Sequence, residues 1–505
     1  MTRLRLAGPG QNLWSVPGVR AGLLGSGLLL ASGWGAAPIS APLNGSSPLA
    51  GVPLLGWVRT THLGDALSSV LFFTGLVALL LGWIRLGRGL QAGDRQVRDL
   101  WRIGALWSAP LLLAPPLASR DVYSYLAQGH LAALGLDPYT YGPSTKPGGL
   151  LDAVGQTWWY TPSPYGPAFT TLSSWVSQLT GGGLLSGFVL MRLLAVLGVV
   201  ACAVVTRRVA VVVGADPAVA TWLAVLNPLV LLHLVAGAHS EAVLLPLVVA
   251  AIGLAVARRP VWAAVVLGLA AAVKVTVIVA LPFLAVLWLM QRPQRPARLL
   301  ACAGGLAALT LAVVSAVSLA SGFGFGWIAG ARVSALHGSR LSVTTTLSDA
   351  AHFTGVLLGQ ESVGLQIGAS VRLLGLLLAA VIVLRLLKPG ADLQRVVLRC
   401  GAALCVVALL APIAQPWYLL PGLAVVAVAR PGPRAQAFAV RLTVLFALLL
   451  RPAGGEVLHL YTPFPLLCAG LSLAAVLILA ARHDRAALTG PSAPHTLKIS
   501  APVDL

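Results

Sequence analysis

The chain has 505 residues, of which 58% are hydrophobic and only 10% charged, with a formal net charge of +20. A soluble domain carries about 25% charged residues, so a single soluble core is excluded. Nucleic-acid binding is excluded too, because the basic residues sit in short clusters between long apolar runs.

Taken in chain order, the runs read as membrane-spanning helices, each long enough to cross about 30 Å of hydrocarbon. They do not alternate with the period of two that a membrane β-barrel would require. Arg3, Arg5 and Arg20 precede Ala21–Ala37, which is long for a signal-peptide core, so an uncleaved first span over about 19–37 is expected. Further spans follow at about 67–84 and 100–118. Residues 166–180 read as an interfacial or partly inserted helix, and spans follow at about 184–206, 218–236 and 241–257. Residues 261–290 carry basic clusters at both ends, which predicts two short helices meeting near Lys274. Spans then fall at about 299–320, 366–387, 400–414, 417–430, 437–452 and 463–481.

Arg85/Arg88/Arg95/Arg98, Arg207/Arg208, Arg258/Arg259, Arg292/Arg295/Arg298, Arg385/Lys388/Arg395/Arg399, Arg430/Arg434 and Arg482/Arg485 mark the cytoplasmic side. The expectation is an all-α polytopic membrane protein with about 13–14 transmembrane helices and both termini cytoplasmic. Residues 1–481 form one transmembrane domain, and the polar tail 482–505 is expected to be disordered. The five cysteines, Cys202, Cys302, Cys400, Cys405 and Cys468, lie inside apolar runs. Their odd number and spacing predict neither disulfides nor a metal site.

Of the fourteen acidic residues, Asp65, Asp121, Asp137, Asp152, Glu241, Asp349, Glu361 and Glu456 fall on the predicted outer side. Chemistry that needs a carboxylate therefore has its candidates there. Five constellations stand out. The first is the loop opened by Ser119-Arg120-Asp121, where Tyr123 and Tyr125 supply aromatic faces suited to sugars and headgroups. Asp137-Pro138-Tyr139 and Pro164-Tyr165-Gly166-Pro167 follow in the same loop, where Pro and Gly fix a shaped surface, with Trp158 and Trp159 between them. The second is Asn227-Pro228 with His239-Ser240-Glu241 at a water-exposed turn. The third is Lys274, costly within an apolar segment unless it is paired or reached by water. The fourth holds Arg332, His337 and Arg340, which go against the charge bias of the outer loops and suit a phosphate. The fifth is Gln415-Pro416-Trp417-Tyr418, at an outer turn.

Asp121-Val122-Tyr123-Ser124-Tyr125, Leu136-Asp137-Pro138-Tyr139, Pro164-Tyr165-Gly166-Pro167, Asn227-Pro228-Leu229 with Ala238-His239, Lys274 and Pro416-Trp417-Tyr418 occur in an order and spacing that resemble the actinobacterial polyprenyl-phosphate-mannose-dependent α-1,6-mannosyltransferases, the Mpt family. Where that family carries His-Asn-Asp, this chain carries His239-Ser240-Glu241. The resemblance implies a GT-C-like helix bundle with an active site facing outward. It implies Asp121 as catalytic base on the large loop after the third predicted span. It also implies polyprenyl-phosphate-mannose as donor and a lipid-linked mannan of lipomannan or lipoarabinomannan type as acceptor.

The chemistry of the residues fits. An acceptor hydroxyl needs a base within hydrogen-bond reach. A leaving phosphate needs cations, for which Lys274, Arg332, Arg340 and Arg120 are candidates. Tyr123, Tyr125, Asp137, Tyr139, Tyr165, His239, Glu241, Gln415, Trp417 and Tyr418 are the candidate sugar and acceptor contacts. A monophosphate donor lessens the need for a metal, so no cofactor is expected. The competing readings are a polyprenyl-phosphate-dependent transferase of another sugar, a lipid-linked-sugar transporter or flippase, and a scaffold protein.

Overall fold

The computed structural model describes residues 12–35, 57–58, 61–93, 99–290, 295–335, 338–388, 392–452, 454–455, 457 and 463–489. It is 79% helical, and no strand occurs among the described residues. In chain order the α-helices of eight or more residues are α1 (Val19–Gly35), α2 (His62–Gln91), α3 (Leu100–Leu112), α4 (Asp121–Ala133), α5 (Pro167–Thr180), α6 (Leu184–Val213), α7 (Pro217–Ala224), α8 (Glu241–Val256), α9 (Pro260–Val273), α10 (Leu281–Leu289), α11 (Pro296–Ala320), α12 (Gly326–Ala335), α13 (Val343–Leu357), α14 (Glu361–Leu386), α15 (Leu393–Leu410), α16 (Leu420–Val428), α17 (Pro433–Ala447) and α18 (Pro463–Thr489). The last helix continues past residue 482, into the segment expected to be a tail. Arg95, Arg98, Arg292, His337 and Glu456, together with residues 490–505, lie outside the described residues.

Among the described residues, α2, α6, α11, α14, α15 and the first part of α18 are long and apolar enough to cross a membrane. This is a polytopic membrane protein. At 1.5 Å per residue, the 30-residue helices α2 and α6 are about 45 Å long. Other apolar segments are broken, and the breaks are where polar residues gather. The helix pair predicted over 261–290 is present: α9 stops at Val273, Lys274 is extended with φ −153° and ψ 114°, and a 3-10 turn (Val275–Ala280) leads into α10. The carbonyl of Val273 is not orphaned, because the Gly166 amide donates to it at 3.0 Å.

A second break follows α7. Pro228 has no amide to donate, so the helix cannot run through it. Asn227 fills the gap: its Oδ1 accepts from the Leu229 amide at 2.9 Å, and its Nδ2 donates to Leu223 O and to Thr443 Oγ1 of α17. Asn227-Pro228 therefore ties a break to a neighbouring helix and does not reach the site. A π-helical segment, Val230–Ala236, follows and meets α8 at a bend of 119°. π-helical insertions are frequent at functional sites.

One hydrophobic cluster runs from Val16 to Val476. α1 lies against α2 across Gly25, Gly75 and Gly82, where an added Cβ would meet the opposing backbone. Small residues allow this close approach of membrane helices. Trp83 of α2 stacks on Trp222 of α7, with ring centroids 4.8 Å apart. Each indole donates to the other's backbone carbonyl, at 3.0 and 2.8 Å. This reciprocal pair satisfies both buried N–H groups. The hairpin α13–α14 is different: most of its apolar side chains, including Leu347, Phe353, Leu373, Leu377 and Leu384, are exposed. In a membrane these face lipid.

Candidate active site

The broken segments converge on a cavity of about 930 Å³. Its wall draws on the turn before α4, the loop before α5, the start of α8, the break at Lys274, the segment before α13, the end of α15 and the turn at Gln415–Tyr418. Of the residues singled out in the sequence, Arg120, Asp121, Tyr165, Glu241, Lys274, Arg340, Gln415, Trp417 and Tyr418 line it together. They come from six separate parts of the chain.

Asp121 is the first residue of α4. A helix N-terminus favours a negative charge. Its own amide donates to Ser119 Oγ at 3.1 Å, which fixes the turn. The carboxylate keeps 21% exposure, into the cavity. Burial pushes its pKa up to about 6. A hydrogen bond with Ser119 and the charge of Lys274 pull the other way, while Glu241 pushes it further up. A carboxylate with a pKa just below neutrality is ionised at neutral pH and still basic enough to take a proton.

Glu241 is likewise the first residue of its helix, α8. Its Oε1 is 2.5 Å from Lys274 Nζ, and its Oε2 accepts from Ser240 Oγ at 3.3 Å. The Lys274 ammonium sits 3.3 Å from the centroid of the Tyr418 ring. An isolated charge is expensive in such a place. Here the ammonium has a carboxylate on one side and an aromatic face on the other. Lys274, expected to meet a phosphate, thus has a carboxylate partner already, and Glu241, expected to meet sugar, is that partner.

Other expectations change with the geometry. His239 does not line the cavity. It is buried behind Asp121, its Nδ1 3.6 Å from Asp121 Oδ2 and 3.3 Å from the Tyr125 hydroxyl, with its ring 4.0 Å from that of Trp417. It backs the carboxylate from outside the cavity lining. Tyr125 is also buried, edge-on to Tyr165 and Phe169. Tyr123 packs toward Phe188 of α6. Asp137 accepts from the Tyr139 amide at 2.9 Å and from the Thr140 hydroxyl at 2.8 Å, which closes a turn. Tyr139 donates to Thr170 Oγ1 at 2.9 Å and pins the loop to α5. These residues shape the loop from beneath. Arg332 is exposed on α12 and lies outside the cavity wall.

Trp158 and the outer carboxylate Asp349 also line the wall, and the structure adds Ser339 and Arg451 to it, with Arg192 behind. Arg451 carried a usable signal: it is a cation at the predicted outer end of a span, the same break in charge bias that drew attention to Arg340. Arg192 lies inside an apolar run, which was the argument applied to Lys274. Another stretch of the wall, formed by Leu404, Val407, Ala408, Ala411 and Ile413, is apolar.

Two backbone features frame the site. Ala118 has φ 60° and Ala238 has φ 54°. A left-handed conformation costs an alanine about 1–2 kcal/mol. Of the other non-glycine residues with positive φ, Arg258 and Arg430 follow the C-terminal ends of α8 and α16, where such conformations are common. Ala118 and Ala238 each stand three residues before a cavity carboxylate, and strain of this kind concentrates at active sites.

Comparison with known proteins places the chain in a family. A family model described as "Alpha-(1->6)-mannopyranosyltransferase, N-terminal domain" matches residues 19–290. One described as "MptB C-terminal domain" matches residues 344–482. The chain is 34% identical over 451 residues to alpha-(1->6)-mannopyranosyltransferase A of Mycobacterium tuberculosis, covering 88% of this chain and 86% of the relative. It is 32% identical over 482 residues to a probable alpha-(1->6)-mannopyranosyltransferase of Mycolicibacterium smegmatis, covering 86% and 84%. It is 30% identical over 386 residues to alpha-(1->6)-mannopyranosyltransferase B of Corynebacterium glutamicum, covering 70% and 64%. No solved structure matches. The molecule is thus a membrane glycosyltransferase. It belongs to the alpha-(1->6)-mannopyranosyltransferase family, whose activity is mannosyl transfer.

Proposed function

We propose that the chain transfers mannose from a polyprenyl-phosphate donor to a growing α-1,6-linked mannan on a cell-envelope glycolipid, with inversion at the anomeric carbon and Asp121 as general base. The observation that carries this reading is the Asp121 carboxylate, poised at the wall of a cavity that is also lined by Arg120, Arg340 and Arg451 and by an apolar stretch. A lipid-linked sugar phosphate needs those three surroundings at once.

The step is one displacement. The 6-hydroxyl of the acceptor mannose attacks C1 of the donor, and its proton passes to Asp121. The C1–O bond to phosphate breaks, and its electron pair stays on the phosphate oxygen. A β-linked donor gives an α-linked product with no covalent enzyme intermediate, as in the inverting glycosidases. The arginines are suited to the leaving phosphate through their planar forks. Lys274 acts indirectly, because Glu241 holds it. The face at Leu404, Val407 and Ala408 suits the first isoprene units of the lipid. Charge on the phosphate is met by side chains, and we propose no metal. The site opens to the extracytoplasmic side, with both termini cytoplasmic, in keeping with the basic loops.

Membranes given polyprenyl-phosphate-[¹⁴C]mannose and an α-1,6-linked mannose acceptor test this. Label in the acceptor with the wild type, and its loss with Asp121→Asn, is the expected result. Equal transfer by the two proteins would overturn the base. Transfer from another polyprenyl sugar but not from this one would keep the mechanism and change the donor.

A further inference from the structure

We infer that Arg192 is a positioning residue that fastens the Asp121 turn and the Glu241 turn to each other, and so sets the distance across which the reaction runs. The inference rests on the assignment of Asp121 as base.

Arg192 lies in the first third of α6, 7% exposed. No carboxylate pairs with it among the described residues. Its guanidinium instead serves backbone carbonyls from two distant segments. Nη1 donates to Leu112 O at 2.9 Å and to Ala114 O at 2.6 Å, and Nη2 donates to Ala236 O. The Phe188 ring covers the group at 4.2 Å. Leu112 and Ala114 close α3 and lead through left-handed Ala118 to Asp121. Ala236 closes the π-helical segment and leads through left-handed Ala238 to His239 and Glu241.

The two segments are alike in form. Each is a helical end followed by a strained alanine and then by a helix whose first residue is a cavity carboxylate. Carbonyls at helix ends have no partner within their own helix, and a cation there is favoured by the helix dipole. One guanidinium can take both ends because its two Nη atoms point in fixed, divergent directions. A lysine, with a single compact ammonium, reaches one end only. A charge buried at membrane depth is costly, and a helix end alone needs no arginine to cap it. The double attachment is what a precise site requires, since a displacement of about 1 Å can lower a rate by about 100-fold.

The test uses the full-length protein in nanodiscs, with Arg192→Met and Arg192→Lys beside the wild type. Two readouts are taken: amide hydrogen exchange, and transfer kinetics across pH. In Arg192→Met, exchange rises together in residues 117–124 and 236–243. The kcat per folded molecule falls about 10- to 100-fold, with donor KM within about twofold. The acid limb of kcat/KM also moves to lower pH, because water reaches an Asp121 otherwise faced by Glu241, Lys274, His239 and Tyr125. Arg192→Lys keeps one segment protected and recovers part of kcat; if the methionine variant does not fold, this variant decides. In Arg192→Met, loosening of one segment alone, or an unchanged acid limb and kcat per folded molecule, would show a structural cap only and overturn the inference; in Arg192→Lys, full protection of both segments with wild-type kcat would do the same. If the wild type fails to use the donor, the proposed function falls, while the exchange data still decide the role of Arg192.

Discussion

The turn Ala118–Asp121 and the turn Ala238–Glu241 use the same backbone device and place a carboxylate at the same point of a helix, yet their carboxylates differ in what they meet. Glu241, 1% exposed, is held by Lys274 at 2.5 Å. Asp121 keeps 21% exposure, has a histidine behind it at 3.6 Å and no Lys or Arg ion pair among the described residues, and faces the cavity. One carboxylate is spent on holding a cation in place; the other is left basic. Local structure alone does not separate a paired acid from the one we propose as the base. The partner brought by a third segment does.

The comparison can be broken in order of expected size. Asp121→Asn removes the basic group while keeping its shape. Transfer in the membrane assay falls about 10²- to 10⁴-fold, with unchanged protein level and thermal stability. The same change at the other turn acts mainly on stability. Glu241→Gln strips Lys274 of its partner, and breaking a buried pair costs about 3–5 kcal/mol. Thermal unfolding in detergent drops accordingly, and Glu241→Gln/Lys274→Met unfolds closer to the wild type than the single variant does. An equal loss in the single and double variants would mean that the pair is not the reason.

Acidity sharpens the difference. Burial raises Asp121 to about 6, and a base works only when deprotonated. So kcat/KM falls about tenfold per pH unit below pH 6 and is flat just above it. Because Glu241 helps to raise Asp121 and Lys274 to lower it, folded Glu241→Gln moves this limb to lower pH. A limb that moves upward contradicts the electrostatic account. Tyr125→Phe deletes the hydroxyl beside His239 Nδ1. One hydrogen bond is worth about 1 kcal/mol, so kcat falls about fivefold with KM unchanged. Smallest of all, Arg332→Ala, outside the cavity wall, leaves transfer within about twofold. Arg340→Ala, on the wall, raises donor KM; similar effects from the two would place Arg332 at the site after all.

Much of the site was legible, for an identifiable reason. In an apolar chain every polar residue stands out, because its burial is costly; Asp121, Lys274 and Glu241 were found that way. The break at Lys274 was legible from the basic clusters flanking 261–290. The roles were less so. His239 and Tyr125 read as sugar contacts because a polar or aromatic residue near a loop has the same signature whether it faces the cavity or stands behind it. Asp137 read as a ligand contact, yet its spacing to Thr140 is equally that of a turn-closing carboxylate.

The sequence by itself determined a helical membrane protein and the small set of residues costly enough to matter, and its charges set an expectation for the side of each loop. Hydropathy and charge act along the chain, so they survive without coordinates. Tertiary structure decided that Lys274 belongs to Glu241, that His239 backs Asp121, that Arg451 joins the cavity, and that Arg192 ties two turns together. Each of these is a contact between segments far apart in sequence, and long-range pairing of a few charged and polar groups leaves no periodic trace to read.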